Sequence, residues 1–510
     1  MKAVTASEMR EIDRISIEEC SIPATVLMNN AGRSVADFII KNFNTQKVDI
    51  FCGTGNNGGD GFTAAFYLKN AGIEPVLYIA GKKEKITAVS LLFLEICKKY
   101  DIEILYVDDT NIDSLQIQTD SLILDSITGT GFEGPLRGIP LRLVNLINSS
   151  TCEVISVDIP SGLPSDGDAP AGDAVEADYT ITMGLPKISL VTWPGKGYCG
   201  RLSVSDIGFP PYLTGSNDLK VDLADEGLVK DSELCKFSED IHKGDMGNTL
   251  IVGGFTGMEG AAMLTASAMF KTGTGLVTLA TVESSRSSIA GIIPELMTAS
   301  LPDSPDPDSV ELLLRAKKYN TLIIGPGMGR DSYSEVLFNT LLEKAQGAGI
   351  SDILIDGDGL FHLASYLKQK KIPEGIKCII TPHFMEASRI SGHGIDYIKN
   401  NRLKSCVELA KSTGCVTVLK GPASIISDGL NSCINTTGNR ALATAGSGDV
   451  LSGIIGALAG RGIDLYQAAC AGVYIHGLCA DIFAECYEKD SMSSSDILEF
   501  IRPSLEKIKS

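Results

Sequence analysis

The sequence predicts an α/β protein with two domains, each built on a largely parallel sheet. Helical patterns alternate with short β-rich runs through most of the chain. A length of 510 residues is also too great for a single hydrophobic core. Between Pro211 and Phe237 the periodicity is lost and polar and acidic residues dominate. We therefore predict domains over residues 1–212 and 240–510, joined by a linker over 213–239.

The first half alternates between the two patterns from its beginning. Helical periodicity predicts helices over residues 6–19, 24–42, 61–71 and 87–99, and β-rich runs predict strands over 48–52, 76–79, 122–125, 154–158 and 179–183. This order is typical of βαβ units, which place ligand sites at the carboxyl ends of parallel strands.

The second half begins in the same way and then changes character. Apolar runs predict strands over residues 249–252, 276–280, 321–324, 353–356 and 378–381, followed by 416–419, 424–427 and 432–435. The last three are joined by Gly-Pro and Asp-Gly turns, which favour antiparallel pairing. A helix is predicted over 450–458, directly after them. We expect a parallel sheet with an antiparallel edge.

Composition excludes several classes of function. The net charge is −19, and neither half carries a basic run, so a nucleic-acid partner is not expected. Hydrophobic residues make up 44% of the chain, but no apolar run is judged long enough to span a membrane, and no membrane partner is expected. The 13 cysteines form no C-x-x-C pair, which favours reduced thiols and a cytoplasmic location. None of the five histidines has metal-ligand spacing, so a zinc site is not expected.

The strongest chemical signal is the run Gly446-Ser447-Gly448-Asp449, which precedes the helix predicted over 450–458. Two glycines allow a tight turn that directs successive N–H groups to one point, at the positive end of the helix dipole. Such a cluster of N–H groups suits a phosphoryl group during its transfer. Asp449 would take or orient the proton of a substrate hydroxyl. A glycine-containing helix start capped by an aspartate is an equal alternative on these residues alone.

Further polar and glycine-rich segments follow four successive strands of the second half. They are Gly325-Pro326-Gly327-Met328-Gly329, Asp356-Gly357-Asp358-Gly359, Thr381-Pro382-His383 and Lys420-Gly421-Pro422-Ala423-Ser424. Each alone is more often a plain turn. Because the carboxyl ends of parallel strands meet at one edge of a sheet, their recurrence predicts one continuous ligand crevice.

Three strand ends in the first half carry a second group of polar and glycine-rich residues. The run Gly53-Thr54-Gly55-Asn56-Asn57-Gly58-Gly59-Asp60-Gly61 follows the strand over 48–52, Asp125 ends another strand, and Asp158 ends a third, with Ser161 close behind. A helix cap or a tight turn would explain any one of these residues. Together, two carboxylates between glycine-rich walls favour proton transfer on a phosphate-bearing ligand.

From about residue 235 to the end, the motifs of the second half resemble the ribokinase-like fold and, within it, the ADP/ATP-dependent NAD(P)H-hydrate dehydratases. Two segments depart from the family pattern: Phe384-Met385, which follows His383, and Ala445, which precedes the run Gly446-Ser447-Gly448-Asp449. The resemblance implies a nucleotide (ADP or ATP) as phosphoryl donor, with Mg²⁺, and Asp449 as the catalytic residue. It implies substrate contacts from Ala261, Gly327, His383 and Asp449, and nucleotide contacts from Lys420, Gly421, Pro422, Ala423, Ser424, Gly446, Ser447 and Gly448.

Residues 1–212 resemble the NAD(P)H-hydrate epimerase domain, which is Rossmann-like; the string Asn-Asn-Gly-Gly-Asp-Gly is the most specific match. The resemblance implies that Asn57, Asp125 and Ser161 ligate K⁺. It implies that the substrate is held by Asn56, Asn57, Gly58, Gly59, Asp60, Gly129, Thr130, Gly131, Phe132, Glu133, Gly134, Pro135 and Asp158. We interpret Asp158 as the catalytic proton carrier of this domain.

The two resemblances together predict a bifunctional nicotinamide-nucleotide repair enzyme. Its substrates would be the R and S epimers of hydrated NADH and NADPH (NADHX and NADPHX), with the S form dehydrated at the expense of ADP or ATP. A homo-oligomer is expected. The alternative is a ribokinase-like kinase of a small alcohol or vitamin, fused to a nucleotide-binding scaffold domain.

Overall fold

The computed structural model describes residues 1–167, 169–231, 240 and 242–509. The chain divides into two compact units, the first over Lys2–Val221 and the second over Asp222–Ser510 together with Met1.

The first unit contains a seven-stranded sheet in the order β4-β3-β2-β5-β6-β7-β8, and its strand pairs are parallel. The strands of this sheet are β2 (Lys47–Cys52), β3 (Glu74–Ala80), β4 (Glu103–Val107), β5 (Leu122–Ser126), β6 (Val154–Val157), β7 (Tyr179–Met183) and β8 (Arg201–Ser205), and the short strand β1 (Lys2–Ala3) is not part of it. The helices are α1 (Ala6–Glu18), α2 (Ala24–Asn42), α3 (Asn56–Asn70), α4 (Ala88–Lys99), α5 (Gly138–Asn148), α6 (Ile188–Val191) and α7 (Pro211–Thr214).

The second unit is built on a larger sheet, in which the strands run in the order β9-β18-β17-β16-β15-β14-β13-β10-β11-β12. They are β9 (Val221–Ala224), β10 (Asn248–Val252), β11 (Leu276–Thr281), β12 (Met297–Ser300), β13 (Thr321–Ile324), β14 (Asp352–Ile355), β15 (Lys377–Ile380), β16 (Val416–Leu419), β17 (Ile425–Ser427) and β18 (Ser432–Asn435). The first group of helices is α8 (Glu226–Asp231), α9 (Glu259–Thr272), α10 (Glu283–Ile289), α11 (Pro307–Arg315), α12 (Ser332–Lys344) and α13 (Asp358–Tyr366). The remaining helices are α14 (Phe384–Ser391), α15 (Ile395–Asn400), α16 (Arg402–Thr413), α17 (Ser447–Gly460), α18 (Leu465–Cys486) and α19 (Ser494–Lys509).

The predicted fold class is confirmed. Strands β10, β11 and β13 to β16 pair in parallel, whereas β16, β17 and β18 pair antiparallel, as the turn residues predicted. Strands β4, β8 and β12 were not predicted. They lie at or near sheet edges and are only partly buried, so their sequences lack the continuous apolar run of a central strand.

Part of the segment predicted as a linker is regular structure. Within residues 213–239, β9 and α8 replace the expected irregular chain, and the boundary between the units falls inside the segment. Val221, Leu223 and Ala224 of β9 are buried. Because β9 is only four residues long and acidic residues surround it, its alternation is too brief to detect. Residues 232–239 of the predicted linker lie outside the described part of the chain.

Among the described helices, α18 is long and apolar enough to cross a membrane by length and composition. The expectation that no run reaches this length was therefore wrong. The helix packs against α17 and α19, and 67% of its apolar window is buried within the protein. Its apolar character is that of a core helix surrounded by other elements.

Both sheets reverse their strand order at one point. In the first unit the reversal lies between β2 and β5, and in the second between β10 and β13. A crevice opens beyond the carboxyl ends of the strands at such a switch point. The glycine-rich segments after β2, β10 and β13 therefore lie at the two positions where the topology favours ligand binding.

Close packing of α9 on α17 leads to a stability prediction. A Cβ atom added at Gly453 of α17 would lie 2.3 Å from the carbonyl oxygen of Thr265 and 2.6 Å from Cβ of Ala268. Gly453→Ala should therefore lower the free energy of unfolding by about 1–3 kcal/mol through overpacking. Gly260→Ala in α9, where no atom lies within 4 Å of the added Cβ, is the control and should not destabilise the protein. Thermal unfolding of both variants measures the difference, and equal melting temperatures would contradict the packing argument.

Candidate functional site

A cavity of about 600 Å³ opens at the carboxyl ends of the central strands of the first unit. Its walls come from α1, from the start of α3, and from the loops after β5 and β6. Of the residues expected at the substrate, those in the wall are Asn56, Asn57, Asp60, Gly129, Thr130, Gly131, Phe132 and Asp158. Gly58, Gly59, Glu133, Gly134 and Pro135 are not part of the described wall.

Asp158 is held in an unusual backbone conformation at the end of β6. Its φ is +65°, a strained value for a residue other than glycine. Oδ1 accepts hydrogen bonds from Oγ1 of Thr182 and from the amide of Met183, each at 3.1 Å. It also accepts from Nζ of Lys187, whose side chain is only 1% exposed. The strain and the buried ion pair fix this carboxylate in one position in the cavity wall.

Two further carboxyl groups line the same cavity. Burial and the charge of Asp158 together raise the pKa of Asp13 to about 6, against the lowering effect of the charge of Lys187. Burial also raises the pKa of Asp60 well above its usual range, and the charges of Asp158 and Asp13 add to the effect. Three acidic side chains thus share one cavity with a single buried lysine, a setting in which neighbouring carboxyl groups take different protonation states.

Asn57, Asp125 and Ser161 lie together beneath the cavity. Oγ of Ser161 donates to Oδ1 of Asp125 at 2.5 Å and accepts from the amide of Thr128 at 2.8 Å, while Nδ2 of Asn57 donates to the carbonyl of Thr128 at 2.8 Å. The buried Oδ1 of Asn57 has no hydrogen-bond partner among the described residues. An unpaired amide oxygen beside a buried carboxylate and a hydroxyl is a donor set that fits a hard cation.

In the second unit, a buried ion pair lies at the carboxyl ends of β14 and β16. Nζ of Lys420 donates to Oδ1 of Asp356 at 2.9 Å. The same carboxylate accepts from Oγ1 of Thr381 at 2.6 Å and from Oγ of Ser452 at 2.7 Å. Burial alone would raise the pKa of Asp356, but Lys420 and the two hydroxyls hold it below the usual value. Asp356 is therefore a fixed, fully partnered anion.

Asp449 lies near this pair in the first turn of α17. Burial and the charge of Asp356 together raise the pKa of Asp449 to about 7, against the lowering effect of the charge of Lys420. The group therefore changes its protonation state near neutral pH, as a proton acceptor requires.

The loop before α17 leaves two backbone amides unpaired at the start of the helix. The helix begins at Ser447, three residues earlier than predicted, and Gly446 precedes it at φ +84°. The amide of Ser447 donates to the carbonyl of Thr444 at 3.3 Å and is therefore occupied. The amides of Gly448 and Asp449 have no acceptor among the described residues. Two first-turn amides thus remain available at the positive end of the helix.

The other residues expected at the substrate lie on neighbouring segments. His383 caps α14: Nδ1 accepts from the amides of Met385 and Glu386, and burial and the charge of Lys420 lower its pKa. Gly327 accepts from the amide of Phe255 at 2.8 Å, beside the start of α9, which carries Ala261. These contacts bring the loops after β10 and β13 together.

Arg402 holds the loop expected at the nucleotide, residues 420–424. Its guanidinium donates to the carbonyls of Pro422 and Ala423 and lies over the ring of Phe384, while the residue itself is 2% exposed. Ala423 has φ +51°, so the loop is strained there. A buried cation that donates to two carbonyls keeps this loop in place.

Sequence reasoning missed Asp13, Lys187 and Arg402. Lys187 lies in the otherwise apolar run Gly184-Leu185-Pro186-Lys187-Ile188, and such a lone cation needs a counter-charge once it is buried. A lone lysine in an apolar run could therefore have been recognised from the sequence. The positions of Asp13 and Arg402 on ordinary amphipathic helices gave no comparable signal.

Comparisons with known proteins cover nearly the whole chain. A family profile described as NAD(P)H-hydrate dehydratase matches residues 249–503, and one described as YjeF-related protein N-terminus matches residues 24–189. A bifunctional NAD(P)H-hydrate repair enzyme of Moorella thermoacetica is 37% identical over 98% of this chain and 96% of its own length. The enzyme of the same name from Thermofilum pendens is 33% identical over 100% and 97%. The crystal structure of a Bacillus subtilis ADP/ATP-dependent NAD(P)H-hydrate dehydratase, co-crystallised with ATP and Mg²⁺, aligns with 56% of this chain and 99% of its own, at 24% identity and a TM-score of 0.49.

The buried ion pair of the first unit leads to a second stability prediction. Lys187→Met removes the partner of Asp158 and leaves a buried carboxylate uncompensated, which should cost about 3–5 kcal/mol. Lys69→Met is the control, because Lys69 pairs with Glu74 at the surface, where such pairs contribute about 0–1 kcal/mol. Thermal or denaturant unfolding measures both. A Lys187→Met variant as stable as the Lys69→Met variant would show that the pair is not structural.

Proposed function

The chain belongs to the family of bifunctional NAD(P)H-hydrate repair enzymes, and we propose that its two units divide this repair between them. The first unit, residues 1–212 in our assignment, would epimerise the R and S forms of NADHX and NADPHX. The second unit, residues 240–510, would dehydrate the S form to NADH or NADPH with ADP or ATP. An epimerase beside a dehydratase that accepts one epimer makes chemical sense, because the unused epimer is otherwise lost.

The observation that carries the dehydratase proposal is the group formed by Asp449, the amides of Gly448 and Asp449, and the Lys420–Asp356 pair. Unpaired amides at a helix N-terminus are suited to phosphate oxygens. A carboxyl group with a pKa near 7 is suited to receive the proton of a hydroxyl. Together they provide the two elements that phosphoryl transfer to an alcohol requires.

In the proposed reaction, Asp449 accepts the proton of the C6 hydroxyl as that oxygen attacks the terminal phosphorus of the nucleotide. The bond from this phosphorus to the bridging oxygen breaks, and AMP or ADP leaves with the bonding pair. Phosphorylation turns a poor leaving group, hydroxide, into phosphate. The lone pair of the ring nitrogen then expels phosphate and loss of a proton from the ring restores the reduced nicotinamide. Ala261, Gly327 and His383 would hold the substrate, while residues 420–424 and 446–448 would hold the nucleotide.

Mg²⁺ is part of this proposal as the companion of the nucleotide. It usually retains several waters and binds through phosphate oxygens with one or two carboxylates. Asp356 is fully partnered by Lys420, Thr381 and Ser452, so the phosphates would supply most of the ligands. When bound, Mg²⁺ would neutralise charge on the transferred phosphoryl group.

The epimerase proposal rests on the cavity of the first unit. Residues 56–60 and 129–135 would hold the substrate, and Asp158 would carry a proton as C6 loses and regains its oxygen. Asn57, Asp125 and Ser161 would hold K⁺, and the unpaired Oδ1 of Asn57 supports this assignment. When bound, K⁺ would supply positive charge beneath the phosphate-binding loop.

We include in the proposal a homo-oligomeric state and a cytoplasmic location. The described cysteines are free thiols, which agrees with a reducing compartment. The relatives, which are named NAD(P)H-hydrate repair enzymes, do not favour the kinase alternative, which uses the same helix start and the same aspartate but leaves a stable phosphorylated product.

The proposal is tested by supplying the protein with mixed epimers of NADHX or NADPHX, K⁺, Mg²⁺ and either ADP or ATP. The expected result is the return of the reduced-nicotinamide absorbance until both epimers are consumed. Asp158→Asn should stop conversion of the R epimer and spare dehydration of the S epimer. A stable phosphorylated product without recovery of the absorbance would favour a kinase, and consumption of the R epimer by Asp158→Asn would refute the role of Asp158.

Asp449 allows a prediction with a defined dependence on pH. Because a base must be ionised, kcat/KM for dehydration should rise as the pH increases through about 7, where Asp449 loses its proton. Asp449→Asn should reduce dehydration by about 10²- to 10⁴-fold, the usual contribution of a positioned base. Epimerisation by the same variant is the control and should persist. A pH-independent rate for the wild-type protein would contradict this role.

A further inference from the structure

Epimerisation at C6 requires two proton transfers, because oxygen leaves one face of the ring and returns to the other. The departing hydroxyl must gain a proton, and the incoming water must lose one. The proposed function supplies one carrier, Asp158, and the inference that follows rests on that proposed function. A second carrier must therefore come from the same cavity.

Lys187 is not available as that carrier. Its three ammonium hydrogens are matched by three acceptors, namely Oδ1 of Asp158, Oγ1 of Thr182 at 2.9 Å and the carbonyl of Met183 at 3.1 Å. The residue is also 1% exposed. Lys187 is therefore a positioning residue, which fixes the orientation of the Asp158 side chain. The described hydrogen bonds of Asp158 reach only Oδ1, so Oδ2 can accept a proton.

The charged and titratable side chains that line the cavity come from four segments. They are Arg10 and Asp13 of α1, Asp60 of α3, Asp158 after β6 and Lys187 before α6. Arg10 is exposed, and Lys187 is occupied by Asp158. In the described structure, the carboxyl groups of Asp13 and Asp60 have neither a hydrogen-bond partner nor an ion-pair partner. These two groups are the candidates for the second carrier.

We propose that Asp13 is the second proton-transfer residue of the epimerase cavity, acting as the general acid opposite the base Asp158. The family profile for this unit begins at residue 24 and does not include it. Helix α1 therefore contributes to the chemistry of the site as well as to its wall.

The proposed step balances in protons and electrons. The Asp13 carboxylic acid gives its proton to the C6 hydroxyl as the C–O bond breaks, and the bonding pair leaves with water. The lone pair of the ring nitrogen forms the C6=N1 double bond. Water then bonds to C6 from the opposite face, the double-bond pair returns to nitrogen, and Asp158 accepts the water's proton. Exchange with solvent restores both groups, and the reverse sequence converts the other epimer.

Asp13 suits this role better than Asp60. Its pKa of about 6 allows it to give and regain a proton near neutral pH. The pKa of Asp60 is raised well above the usual range by burial and by Asp158 and Asp13, which keeps its proton in place. A carboxyl group that holds its proton so firmly is a poor carrier and serves better as a hydrogen-bond donor to the substrate.

The test measures epimerisation of the separated R and S forms as a function of pH, after subtraction of the uncatalysed rate. For the wild-type protein, kcat/KM should fall as the pH rises above about 6, because the acid form of Asp13 is lost. Asp13→Asn should lower kcat by about 10²- to 10⁴-fold and abolish this alkaline limb. Asp13→Glu, which retains a carboxyl group, should restore part of the rate and the limb.

Two comparisons keep the result interpretable. Glu11→Gln, on the exposed face of the same helix, should behave as the wild-type protein. Dehydration of the S form reports that the second unit is intact, and thermal unfolding reports whether the first unit of each variant is folded. Loss of the limb in Asp60→Asn with its retention in Asp13→Asn would overturn the assignment. So would near-wild-type epimerisation by Asp13→Asn. An inactive wild-type protein would instead refute the proposed epimerase function itself.

Discussion

Both units share one structural constraint, the burial of a lysine–aspartate ion pair just beyond the carboxyl ends of the sheet strands. In the first unit the pair is Lys187 with Asp158, and in the second it is Lys420 with Asp356. A charge placed away from water must be neutralised by a fixed partner, so each pair immobilises the chain around it. Each pair also leaves a neighbouring carboxyl group in a buried, negatively charged setting, where its pKa rises toward neutrality.

Parallel sheets explain why these pairs form where they do. The carboxyl ends of parallel strands lie at one edge of each sheet, so residues distant in the chain come together beyond that edge. The segments that follow those strands carry both members of each pair. In the function we propose, one arrangement, a fixed anion beside a titratable acid, would serve two reactions: proton exchange at C6 in the first unit, and deprotonation of the C6 hydroxyl in the second.

Much of this architecture could be predicted from residue patterns. The central strands, the long helix α2 and the antiparallel hairpins near β17 were predicted, because buried runs and turn residues are local signals. The edge strands β4 and β8 were not predicted, since half-buried strands lack such runs. The strand β9 was read as linker because four residues give too little periodicity.

By itself, the sequence determined the fold class and the positions of the strand-end loops, including the segments around Asn57 and Asp449, because these features are written in consecutive residues. The tertiary structure alone decided which charges are paired and which are left to titrate. Lys187 meets Asp158 across 29 residues and Lys420 meets Asp356 across 64. Burial and charge proximity belong to the packed chain, so the partners of Lys187 and Arg402 and the surroundings of Asp13 are decided only when distant segments meet.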